Sequence, residues 1–215
     1  MFKKTYKNIA ILDLCGHTAG SLKKIRRIKN VALLIIPKER SAEWTEAYAD
    51  IDTESIARII ELPKGQKYRV INGAATVSDR EATDGETFIV NGSCILETKE
   101  FAPELYVNGI LIKRKSAPCK LCSLNGQSAE IDDDAVLKIY PVEAIIDKDT
   151  VKNLPEKTAI AAGVDIKLKN DITEEELSAK KIKFYAGVDI ECPKSIYGYV
   201  NANSQTGVDI QVTDE

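Results

Sequence analysis

The chain has 215 residues, of which 44% are hydrophobic and 29% charged, with a net charge of −3. That composition suits a globular chain able to bury a core without staples, and it supplies no global field for nucleic acid or an anionic membrane. No apolar run approaches the roughly 18–20 residues of a membrane span. The apolar stretch after Lys7 is broken by Asp13 before it could form a signal-peptide core of roughly 7–15 residues. Five cysteines without regular spacing do not make a secreted disulfide framework, so a cytoplasmic protein with reduced thiols is expected.

Along the chain, Ile9–Leu14 and Val31–Ile36 read as two similar strands, each entered through Lys-Asn at Asn8 and Asn30. Between them Leu22, Ile25 and Ile28 recur three apart, which predicts a helix over Ser21–Lys29 with its basic residues outside. A second short helix is expected after Ser41, a candidate N-cap, with Trp44, Tyr48 and Ile51 facing inward. Ile56–Leu62, closed by Pro63, reads as a third strand. From Lys67 to Ile146 the units shorten to about 17 residues, leaving little room for helices. Thr173 and Glu176 stand at capping-box spacing, so a helical turn is expected there.

The chain repeats itself. Asn-Gly recurs at Asn72, Asn91, Asn108 and Asn125, with spacings of 19, 17 and 17 residues, and Gly-Val-Asp-Ile follows at Gly163, Gly187 and Gly207. Asn-Gly between apolar runs is also the strongest short hairpin signal, so an antiparallel meander competes with a stack of parallel coils. The phase survives where Asn-Gly is lost, as at Asn8 and Asn30, which favours the stack. The expectation is therefore an all-β chain with short helices, a single-stack parallel β-solenoid of about eleven irregular coils. It is read as one domain over 1–215, with helix-bearing coils over 1–66, short β coils over 67–150 and longer coils over 151–215.

Units of about 17–20 residues with Asn/Gly bends and Val/Ile/Leu strands resemble parallel β-helix proteins. Among small cytoplasmic ones the bactofilins, polymer-forming scaffold proteins of bacteria, are similar in kind. The resemblance covers Lys67 to Val212 and is architectural; no bactofilin motif is matched residue by residue, and the helical segments near Leu22 and Trp44 depart from uniform coils. It implies scaffolding by end-to-end assembly.

Residues that could carry chemistry are few. Cys119 and Cys122 form a Cys-x-x-Cys, half of a zinc site that needs four ligands; the simpler reading is two small residues at a turn. Asp165, Asp189 and Asp209 share one phase of the repeat, so stacked coils bring three carboxylates into a row that a hard cation such as calcium would offset, or solvent alone. These five are the metal candidates. Cys15-Gly-His17 holds the only His, without a third group to make a nucleophilic set. Lys23, Lys24, Arg26, Arg27 and Lys29 make a basic face, and Glu130, Asp132, Asp133 and Asp134 an acidic one that could meet it between molecules. No catalytic residue and no cofactor motif is named. The expectation is a non-catalytic structural or interaction protein that self-associates through its last coil, Val208–Val212, with Asp209, Asp214 and Glu215 opposing by charge. A protein- or cation-binding module is the alternative, and an enzyme the third reading.

Overall fold

A computed structural model describes residues 3–213. Met1, Phe2, Asp214 and Glu215 lie outside the described residues. The chain divides into two compact units, Met1–Asn72 and Gly73–Glu215, with the division inside strand β4 (Tyr68–Ser78).

The first unit contains β1 (Lys4–Asp13), α1 (Ala19–Leu22), β2 (Ile25–Pro37), α2 (Ala42–Ala49) and β3 (Asp52–Leu62). The strands form one parallel sheet in the order β1-β2-β3. Each strand bends at its middle. Asn8, Asn30 and Ser55 hold φ of 56°, 52° and 56° at equivalent places, and the Asn30 amide donates to Asn8 Oδ1 at 3.0 Å. Asn tolerates the left-handed region because its short polar side chain bonds locally, which is how the bend persists without glycine.

The helix expected over Ser21–Lys29 is corrected. Only Ala19–Leu22 is helical, and Ile25–Pro37 is one long strand. Ile25 and Ile28 are both buried, yet no helix places them there. Lys4 pairs with Ile25 and Thr5 with Arg27, so Arg26 is the extra residue of a β-bulge. One extra residue changes the strand's spacing of two into three and so imitates a helical stripe. The second helix forms as expected: Ser41 Oγ accepts from the Trp44 N–H at 3.2 Å, and Trp44 and Ile51 are buried.

The second unit has two parts. β4, β5 (Thr87–Glu97), β6 (Glu104–Arg114) and β7 (Lys120–Ile131) form a sheet in chain order. Asn91, Asn108 and Asn125 stand in register, as do Gly92, Gly109 and Gly126. Asn125 donates to Asn108 Oδ1, and Asn108 to Asn91 Oδ1, each at 2.6 Å. The three glycines hold φ of 134° to 142°, a backbone that L side chains avoid. These Asn-Gly pairs thus bend the middle of long strands with parallel neighbours, and they do not close hairpins.

Four shorter rungs follow. Each has a strand, a bend, a second strand and, in the first three, a helical segment. They comprise β8 (Val136–Tyr140), β9 (Ala144–Ile146) and α3 (Lys148–Asn153); β10 (Thr158–Ala162), β11 (Ile166–Leu168) and α4 (Glu174–Lys180); β12 (Lys183–Ala186), β13 (Ile190–Pro193) and α5 (Tyr197–Ala202); then β14 (Ser204–Thr206) and β15 (Ile210–Thr213). They build two parallel sheets, β14-β12-β10-β8 and β15-β13-β11-β9. The capping box of α4 is present, with Thr173 and Glu176 bonding reciprocally.

The protein is therefore mostly β, with parallel sheets and short helices, and its strands are shared among four sheets. One core lies on the helix side of the rungs, around Ile146, Ile160, Phe184 and Ile190. Another joins Ile112, Ala129 and Ile131 of the long strands to Ala159, Ala161 and Tyr185 of the rungs. The middle of sheet β8-β10-β12 is thus covered by apolar side chains on both faces: β10 is buried at every residue, while Lys138 of β8 and Lys183 of β12 are exposed. Glycine recurs at the bend because two backbones meet there. A Cβ on Gly187 would lie 2.0 Å from Gly163 O and 1.9 Å from Ser93 Oγ.

Candidate functional site

Cys119 and Cys122 sit at the start of β7 in different roles. Leu105 pairs with Leu121 and Tyr106 with Ser123, so Cys122 is the extra residue of a bulge and is exposed. Cys119 is half-buried, and burial pushes its thiol up. It neighbours Cys94, whose thiol is pushed up to about 12, by burial first and by Cys119 second. No helix starts here, so the setting is not that of a redox Cys-x-x-Cys.

Asp165, Asp189 and Asp209 do stack at the bend of successive rungs. Their carboxylates are used within the fold: Asp165 Oδ1 accepts the Asp189 N–H at 3.2 Å, and Asp189 Oδ1 accepts the Asp209 N–H at 3.1 Å. Gln211 donates to Asp189 Oδ2 at 2.9 Å. The Asp165 and Asp189 carboxylates thereby tie one rung to the next, while Asp209 Oδ1 accepts the Ile210 N–H at 2.8 Å; hydrogen bonds offset the repulsion between like charges. Among the described residues no three His, Cys, Asp or Glu side chains converge to hold a metal ion.

Part of each charged face is matched internally. Arg27 Nε donates to Asp52 and Lys29 Nζ to Glu54, each at 2.6 Å, both acids standing on the neighbouring strand β3. On the acidic side Glu130 pairs with Lys113, Asp134 with Lys157, and Asp132 with both Lys115 and Lys183. The two lysines hold Asp132 down to about 2. Cross-strand pairing of this kind aligns rungs, while Lys23, Lys24 and Arg26 are exposed without an ion pair among the described residues.

Cys15 and His17 lie in a built environment. They follow β1 and line a cavity of about 300 Å³ with Trp44, Tyr68, Glu39 and Leu62 among its walls. α2 supplies Trp44, which is buried, stacks on Tyr48 at 5.3 Å between ring centroids, and donates Nε1–H to the His17 carbonyl at 2.9 Å. Asp13 is the polar centre. Its Oδ1 accepts the Cys15 N–H and its Oδ2 the Tyr68 O–H, both at 2.8 Å. Burial, and then the Asp13 charge, raise the Cys15 thiol to about 11; burial and the hydrogen bond to Asp13 also raise the Tyr68 hydroxyl. A thiol held in its neutral form is a poor nucleophile. His17 Nδ1 lies 3.2 Å from Ser21 Oγ.

Comparison of the chain with protein-family models, with curated proteins and with solved structures finds no match. No helix among the described residues is long and apolar enough to cross a membrane.

Proposed function

We propose that the protein is a non-catalytic cytoplasmic scaffold of the β-solenoid kind that self-associates end to end. The observation that carries this reading is the valine column of the short rungs. The Val164, Val188 and Val208 N–H groups donate in turn to the carbonyls of Val142, Val164 and Val188. The column ends on exposed valines at both sides, Val142 at 61% and Val208 at 70%, and Val212 on β15 adds 43%. Among the described residues β14 and β15 are edge strands, and an edge with unpaired N–H and C=O groups templates another strand.

A second copy that sets its first rung on β14 and β15 continues both sheets with Val142 over Val208. Pro141 stands one rung below Gly163 and has no N–H, so that joint lacks one hydrogen bond of an internal step. Such a joint is reversible. Light scattering after size-exclusion chromatography, over a range of protein and salt concentrations, is the test. Association that grows with salt, as screening weakens Asp209 repulsion, and that is reduced in Val208→Lys supports the reading. A strict monomer under all conditions refutes it.

A further inference from the structure

The cavity of the first unit combines aromatic and aliphatic walls with Glu39 and Lys64 at its rim, and Asp13 stands behind two of its lining residues, Cys15 and Tyr68. Trp44 and Tyr68 give two aromatic side chains, and Leu62 gives an aliphatic one. Trp44 already has a cation near its ring: the Arg40 guanidinium carbon lies 6.0 Å from the centroid, while Arg40 Nη2 bonds to Glu61 at 2.7 Å. Aromatic faces attract cations through the ring quadrupole, more so where water is excluded.

Two carboxylates set the field. Asp13 is half-buried behind Tyr68 and Cys15, and its two oxygens are taken by the bonds described above. Glu39 stands at the exposed rim; its Oε2 accepts the Lys64 N–H at 2.8 Å, and Oε1 has no protein partner among the described residues. Arg40 is paired with Glu61, so the opposing cation without an ion-pair partner among the described residues is the Lys64 side chain, also at the exposed rim. Burial is the first cause of the raised Cys15 thiol and the Asp13 charge only the second; it is that charge, together with Glu39, that disfavours an anion and favours a positive guest.

We propose that this cavity binds a small organic cation, an ammonium carried on an aromatic body, with the ring against Trp44 and Tyr68 and the charge toward Glu39. The volume is at the lower end of ligand pockets, which span about 300–1,000 Å³, so the guest is a one-ring amine and not a nucleotide. This site does not depend on self-association, since all its residues belong to the first unit.

Trp44 is the only Trp in the chain, so its emission reports on the cavity directly. The full-length protein is titrated with 2-phenylethylamine, 2-phenylethanol and phenylacetate, which share a ring and a chain length and differ in charge. A saturable change in Trp44 emission is expected with the amine, weaker binding with the alcohol and none with the acid. Glu39→Gln keeps a carbonyl acceptor for the Lys64 N–H, so the fold is preserved, and it is expected to weaken amine binding about fivefold. Lys64→Gln removes the opposing cation and is expected to strengthen it. Equal binding of the alcohol or the acid overturns the proposal, as does an absence of saturable change with the amine. Amine binding seen by calorimetry with unchanged Trp44 emission also overturns it, since the guest is then elsewhere.

Discussion

Gly109→Ala tests the spacing of the long strands. A Cβ at Gly109 would stand 2.0 Å from Gly92 O and 2.8 Å from Gly92 C, and φ there is 140°. The obstructing atoms are backbone, so no rotamer relieves the contact; β5 and β6 must separate by about 1 Å out of their roughly 4.8 Å spacing. That separation weakens the interstrand hydrogen bonds on both sides of the bend, each worth about 1 kcal/mol net. The strained φ adds roughly 1–3 kcal/mol. The total is about 4 kcal/mol, a large part of a typical stability of roughly 5–15 kcal/mol.

Gly85→Ala is the control. Gly85 also has a positive φ, 76°, but a Cβ there meets nothing within 4 Å, so only the strain remains, about 1 kcal/mol. Urea unfolding followed by circular dichroism measures both. If the two variants fall within about 1 kcal/mol of each other, the close stacking of the bends is not what selects glycine, and the reasoning fails.

Two further outcomes follow from the same structure. Asn108→Ala removes two side-chain bonds, whereas Asn125→Ala removes one at an exposed position; losses of about 1–3 and about 0.5–1 kcal/mol are expected in urea unfolding, and the reverse order contradicts a shared ladder. Stability is also expected to decline at alkaline pH. Cys15 moves from 9.0 to about 11 and Cys94 from 9.0 to about 12 on folding. The folded state thus retains protons that the unfolded chain releases, and the stabilisation is present below pH 9 and lost as pH rises through 11 and 12. Thermal midpoints measured from pH 8 to 11 should fall less steeply in Cys15→Ala than in the parent; an unchanged slope would remove Cys15 from the account.

The bends were legible because they impose a local backbone demand. Positive φ is held by Asn8 and Asn30 in the first unit and by Gly92, Gly109 and Gly126 in the long strands of the second, so the recurring Asn-Gly announces equivalent bends without any knowledge of packing. The capping pairs at Ser41 and Thr173 were legible for the same reason. Ile25 and Ile28 were misread because a bulge at Arg26 gives a strand the spacing of a helix, and periodicity alone cannot separate the two. The four-sheet arrangement was hidden, since a repeat specifies how neighbours stack and not where one stack stops. The Trp44 cavity had no local sign, since His17 and Trp44 stand 27 residues apart. Its organising bond, Tyr68 to Asp13, spans 55 residues, and no local pattern encodes that distance.

Sheet β8-β10-β12 has a consequence for fidelity of assembly. In a sheet with one wet face, a slip of one residue sends apolar side chains into water, and the error corrects itself. Here the middle of the sheet is apolar on both faces, so a slip exchanges one greasy surface for another. In β12 the neighbours Phe184 and Tyr185 point to opposite cores, and they differ by a single oxygen. The Tyr185 hydroxyl donates to the Glu130 carbonyl at 3.3 Å; turned to the other side, it would be buried among Ile160, Ile190 and Val200 without that partner, at a cost of roughly 1–3 kcal/mol. The correct alignment of this strand is thus distinguished from its mirror parity by that hydroxyl and by Lys183, which shares the Tyr185 face and pairs with Asp132.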